Sequence, residues 1–365
     1  MAVGANALTS RAESAGTESA PTGAPTVPPS VVVPSGGTPG GPAAVLPSAV
    51  LPSGRTPGGS AAVLPVGGWA TPAKPGWRWE SYADVQLQVP DSWAQSLWPG
   101  PPDCTEDDWV PEATVFRPGG MQGMALKLCP TPKPARQVAP SVVFGGERPG
   151  VVQLAGGWVR ETRKIGDHLI TVTAGDDVLR RQIFASAAVV ETVDSYGCAP
   201  QADRWVVRPP AQGGLKSVGE VTGVSVCRYS VQGLPITPAG HPEDIRYARL
   251  QASSRLTGAA DHLVRDLLAA PPGVGPTFSD SRQCTPEPSP DPGRDFLILR
   301  VQGTDHAQDV LYRYDSCHHN GTDDGSTLRQ LTADTARQLF IGVHQLHESY
   351  PALDLLLIGT PPPVR

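Results

Sequence analysis

The chain has little lysine, asparagine or methionine: five Lys, two Asn (Asn6 and Asn320) and three Met in 365 residues. It has no Cys-x-x-Cys pair, which removes the zinc-ribbon and thioredoxin signals. No run approaches the roughly 18 apolar residues of a spanning helix, so no transmembrane segment is expected in this chain. Residues 1–20 hold no basic residue before Arg11 and no apolar run, so no secretory signal is visible. A strong excess of positive charge is missing too: 29 basic against 35 acidic residues give −6, which excludes nucleic-acid binding by electrostatics. The catalytic signatures are equally scarce. There is no GxSxG elbow, Walker loop, GxGxxG after a strand, HExxH or EF-hand spacing.

What the chain does have is 40 Gly, 41 Pro and a hydrophobic fraction of 39%, too apolar for a wholly unfolded polymer. The proline and glycine concentrate in residues 1–76, with 13 of each and five charged residues. PSGGTPGGPAAVLP at 34–47 returns as PSGRTPGGSAAVLP at 52–65, matching at 12 of 14 positions. Proline removes donors and fixes φ, so this segment reads as a disordered, polyproline-tending spacer. A proline-rich ligand is the other reading. Arg outnumbers Lys 24 to 5 beside abundant Ala, Gly, Pro and Val. All these residues except Lys have GC-rich codons, which points to a high-GC bacterium.

Two α+β domains are expected after the tail, each a sheet with helices on one face and braced by disulfides. The first, 77–194, opens with an alternating strand from Trp79 to Pro90. Further strands are expected at 113–117, 125–129, 150–154, 157–164 and 168–174, then a helix capped by Asp176 with Val178, Leu179, Ile183, Ser186 and Ala187 on one face. Six of the eight Trp fall between 69 and 109, in core packing or as a carbohydrate-stacking platform. The second domain, 195–365, reads as strands at 220–231 and 247–256, a helix from Thr257 to Ala270, strands at 294–303 and 308–317, and a helix from Thr332 to about Glu348. That order is ββα twice, a pseudo-repeat.

Cys104, Cys129, Cys198, Cys227, Cys284 and Cys317 are even in number, and the simplest pairing is sequential: Cys104–Cys129, Cys198–Cys227 and Cys284–Cys317. Bridges of this kind belong to an oxidising compartment, so an extracytoplasmic location, secreted or attached to the cell envelope, is expected. Six buried free thiols in a cytosolic chain are the alternative.

The densest polar cluster is DSCHHNGTDDG, Asp315 to Gly325. Its metal-ligand candidates are His318, His319, Asp323 and Asp324, with His344 from the following helix. Adjacent His318 and His319 leave a strand on opposite faces, and Asn-Gly and Asp-Gly turn chemistry accounts for much of the cluster without a metal. HQLHE at 344–348 lacks the zincin order, and His347 lies within the apolar stripe of its expected helix. No catalytic residue is identified and no cofactor is expected.

Three stretches together carry a resemblance. WRWESY with VPDSW (Trp77 to Trp93), ITVTAGDD through VDSYGC (170–198), and VCRY (226–229) with the helix ending in AAP (269–271) and YDSC through LT (314–332) resemble uncharacterised actinobacterial secreted and cell-envelope proteins. The first domain is also similar to the Mog1/PsbP-type α/β/α sandwich in strand order. The resemblance implies a fold and a compartment but no activity. The expected function is a non-enzymatic binding or sensing module at the bacterial cell envelope, its partner an envelope ligand or protein. The alternative is a secreted hydrolase or metal-binding enzyme using the His/Asp cluster 315–347.

Overall fold

The computed structural model describes residues 71–95, 112–118, 135, 138–204, 208–211, 213–231, 246–277, 293–316, 319–346 and 349–358. All lie within one compact unit, Ser60–Arg365. The tail up to residue 70, the strand expected at 125–129, and Cys104, Cys129, Cys284, Cys317, His318 and His347 lie outside the described residues.

The alternating segment from Trp77 to Pro90 is two strands, not one. β1 (Trp77–Tyr82) turns through Ala83 and Asp84 into β2 (Val85–Pro90), and the two pair antiparallel, Tyr82 opposite Val85. Ala83 adopts φ 50°, unfavourable for a residue with a Cβ, and its N–H donates to Leu250 O at 2.7 Å. Tyr82 and Val85 share the buried face although they are three apart, so the alternation shifts phase at the turn. β8 (Ala188–Val189) completes this three-stranded sheet on β2.

A second sheet has the order β3 (Thr114–Phe116), β4 (Ser141–Phe144), β7 (His168–Ala174), β6 (Val159–Ile165) and β5 (Gly150–Gln153). Only β3 and β4 pair parallel. Helix α1 (Asp177–Ser186) begins where Asp176 Oδ1 accepts from Val178 N at 2.7 Å. It buries Ile183 and Phe184 with Leu87, Val89, Ile170 and Val172 in one core. Each fully buried side chain of that size contributes about 1.5–3 kcal/mol. Val178, expected on the buried face, is 51% exposed.

The third sheet is antiparallel, in the order β15 (Leu328–Arg329), β14 (Gly321–Asp323), β13 (Ala307–Arg313), β12 (Asp295–Gly303), β10 (Val221–Ser230), β11 (Tyr247–Leu256), β9 (Gln201–Asp203). The two long hairpins meet at β10 and β12, with Ser225 opposite Arg300. Val224 and Val226, with Leu297, Leu299 and Tyr312, face α2 (Ala260–Ala269), α3 (Ala333–Leu339) and α4 (Pro351–Leu357). The other face carries the Cys198–Cys227 disulfide and the stacked rings of Tyr229 and Phe296. The chain is therefore α+β.

Two helix boundaries differ from expectation. α2 starts at Ala260 with Ala259 at its N-cap, two residues beyond the expected cap Thr257. α3 is capped by Thr332 but stops at Leu339, well short of Glu348. Gly342 takes φ 56° and begins a 3-10 turn, Gly342–His344, and Pro351 then opens α4 from the apolar stretch beyond. That early stop moves His344 off the helix and against β11.

Candidate functional site

β9 covers β11 only at Tyr247, Ala248 and Arg249. Beyond them, Ser253–Leu256 runs beside β1 and the Ile341–His344 turn, and a cavity of about 240 Å³ lies between these elements. Its polar groups come from segments distant in sequence, each placed by local physics.

Arg78 and Glu80 are two apart on β1 and share a face. Glu80, 1% exposed, accepts from Arg78 Nε at 2.7 Å and from Arg117 Nη2, so one carboxylate serves two guanidiniums. The other Arg78 nitrogens donate to the carbonyls of Pro90, Asp91, Trp93 and Ala94 at 2.9–3.1 Å, which fixes the loop closing one end of the cavity. Tyr196 lies beside this cluster, and burial and then the Glu80 charge push its phenol up to about 12. Asp194 accepts from Tyr196 N at 3.0 Å, Cys198 N at 2.8 Å and Ser253 Oγ at 2.5 Å, tying the disulfide loop to β11.

Ser254, next along β11, points to the helix face, and its Oγ lies 2.9 Å from His344 Nε2. His344 is 2% exposed. Burial first, then Arg228 and Arg117, push its imidazole down to about 3, so it is neutral throughout the physiological range. Among the described residues, no hydrogen-bond partner meets Nδ1. Arg228 donates to Gln345 O at 3.3 Å and Tyr350 Oη at 3.2 Å, and Tyr350 donates to Asp295 at 2.7 Å, which secures the turn from behind.

A serine–histidine pair at hydrogen-bond distance is the core of a hydrolytic triad, but here the third group is missing among the described residues. A general base needs a carboxylate or carbonyl on its second nitrogen and a site that tolerates imidazolium. His344 has neither.

The sequence-derived metal candidates go elsewhere. Asp323 accepts from Arg208 at 2.9 and 3.1 Å and from Gly325 N. Asp324 accepts from Leu215, Ser326 and Thr327 N–H groups and from Arg329, which outweigh burial and hold its carboxyl below the usual range. His319 is exposed, and His344 pairs with Ser254. Among the described residues, no three His, Cys, Asp or Glu side chains stand close enough to hold a metal. Of the tryptophans, Trp93 is core, Trp77 packs under Lys74 Nζ at 3.7 Å, and Trp79 lines the cavity with Nε1 bonded to Thr71 O at 2.9 Å. Trp69, Trp98 and Trp109 lie outside the described residues.

Ser254, Glu80 and Tyr196 were not legible as site residues. The one available signal was YARLQASSRL, where serine occupies a position that alternation assigns to the core. No family model matches this chain, and no curated protein or solved structure is similar to it.

Proposed function

We propose that this protein is a non-enzymatic extracytoplasmic module that binds a small ligand in the cavity beside β11. The observation that carries the reading is the Ser254–His344 pair: a polar couple at 2.9 Å lining a cavity, with an imidazole held neutral and without a carboxylate to orient it. Such a pair offers hydrogen bonds and no proton transfer. The buried Cys198–Cys227 bridge supports an oxidising compartment, and hence the bacterial envelope as the place of action. Trp79 and Ile341 at the cavity give a ligand apolar surface.

A secreted hydrolase is the second reading, favoured by the same 2.9 Å distance with Ser254 as nucleophile. A fluorophosphonate probe separates the two. The binding reading expects no adduct on Ser254, and a screen of small metabolites by amide chemical-shift changes should give a ligand that perturbs Ser253–Leu256 and Ile341–Gln345. An adduct on Ser254 that Ser254→Ala abolishes would promote the hydrolase.

A further inference from the structure

We propose that the cavity takes a small monocarboxylate with an apolar body, the carboxylate accepting a hydrogen bond from the Ser254 hydroxyl. This rests on the binding reading above. The tautomer of His344 decides what Ser254 can offer. Nε2 faces Ser254 Oγ at 2.9 Å, while Nδ1 is buried and has no hydrogen-bond partner among the described residues. A buried N–H without an acceptor is costlier than a bare ring lone pair, so the proton belongs on Nε2. The positive field of Arg228 and Arg117 further disfavours protonating both nitrogens. Nε2–H then donates to Ser254 Oγ, and the serine turns its own O–H elsewhere. Ser254 is half-buried, lines the cavity, and has no acceptor among the described residues. Its hydroxyl is a donor left for a ligand.

The charges around the cavity favour an anion. Glu80 is shared by Arg78 and Arg117, Asp91 is exposed, and Arg255 has no carboxylate partner among the described residues. Arg255 bonds Gln302 and leans over Gly223, its Nη2 2.7 Å from where a Cβ would stand. It therefore contributes field, and Ser254 contributes the contact. Leu256, Leu339, Ile341 and Val343 give the apolar wall. A cavity of roughly 150 Å³ holds benzene. The cavity here, about 240 Å³, accommodates about ten non-hydrogen atoms, the size of phenylacetate.

The test is calorimetric titration of the full chain with phenylacetate and other alkyl and aryl monocarboxylates of similar size, each against its primary amide and amine. At least one acid should bind about ten-fold tighter than its amide, and no amine should compete. Ser254→Ala should weaken that acid about ten-fold or more, and Ser254→Thr, which keeps the hydroxyl, should restore it. Ring ¹⁵N shifts should place the His344 proton on Nε2. Amides or amines that bind as well as the acids would overturn the carboxylate, as would Ser254→Ala without effect or a proton on Nδ1. A hit in the metabolite screen with silent acids overturns the ligand class alone. Silence in both overturns the binding reading itself.

Discussion

Replacing Glu80 by Gln should destabilise the fold by about 3–5 kcal/mol, the cost of stranding buried charge. The Glu80 side chain is 1% exposed and the two guanidiniums upon it, Arg78 and Arg117, only 10% and 3%. The glutamine amide would offer one neutral acceptor oxygen to two cations. Arg78 would keep its four carbonyl partners, whereas among the described residues Arg117 would keep one hydrogen bond, to the Ser81 carbonyl at 3.2 Å, so Arg117 carries most of the loss. Arg117 follows β3 and Glu80 lies on β1, so the pair ties the hairpin sheet to the five-stranded sheet. Urea unfolding followed by tryptophan fluorescence reads the effect, and Trp93 lies in that core. With m about 2–3 kcal/mol/M, the midpoint should fall by about 1–2.5 M. Arg117→Met should cost less in the Glu80→Gln background than in the native one, with a coupling of about 2 kcal/mol. A loss below about 1 kcal/mol, the range of exposed pairs, would refute the reasoning by showing the cluster to be solvated.

Three further outcomes are expected. Substituting Cys198 and Cys227 together by Ala should lower stability by about 3–4 kcal/mol, the chain entropy of a closure across 29 residues, and unfolding curves unchanged by reductant would contradict it. Burial, then Asp295, push the Asp315 carboxyl up to about 6, above its unfolded value of 3.8, so its contribution is complete below about pH 4 and is lost as pH rises through about 6. Asp315→Asn should remove that loss, about 3 kcal/mol at most, and parallel pH–stability curves would count against it. His344 runs the opposite way: its folded value near 3 lies below the unfolded 6.5, so its contribution is complete above 6.5 and is lost as pH falls towards 3. His344→Gln should flatten the acid limb by about 1.4 kcal/mol per pH unit, and a native ring that titrates near pH 6 by NMR would refute burial.

What could be read from the sequence was what a short window determines. β7 carries a run of β-formers, α1 has its Asp176 cap, and β11 occupies the positions its alternation assigns, 247–256. Local signals also misled where a distant contact decides. Between Trp77 and Pro90 the local sign of a turn is only the phase shift from Tyr82 to Val85, and the bond from Ala83 N–H to Leu250 O, 167 residues on in sequence, is a distant contact to that turn. The apolar stripe from Ala336 to Leu346 predicts one helix, yet α3 stops at Leu339, Ile341 is extended, and Gly342 in the left-handed region opens the turn that carries His344 to β11.

The site was hidden for the same reason in stronger form. Ser254 and His344 are 90 residues apart, and Glu80 and Arg117 are 37 apart. No spacing rule joins them; only the approach of β1 and the 342–344 turn to the uncovered end of β11 does. The cluster 315–325 is dense in polar residues, but density is what tight turns also need. Asp323 and Asp324 spend their oxygens on turn N–H groups and on Arg208 and Arg329. Polar groups that satisfy one another have nothing left for a ligand. Ser254, among the described residues, is answered by a single imidazole, which leaves its donor beside a cavity. An unmatched donor in a space large enough for a molecule is the stronger mark of a binding site.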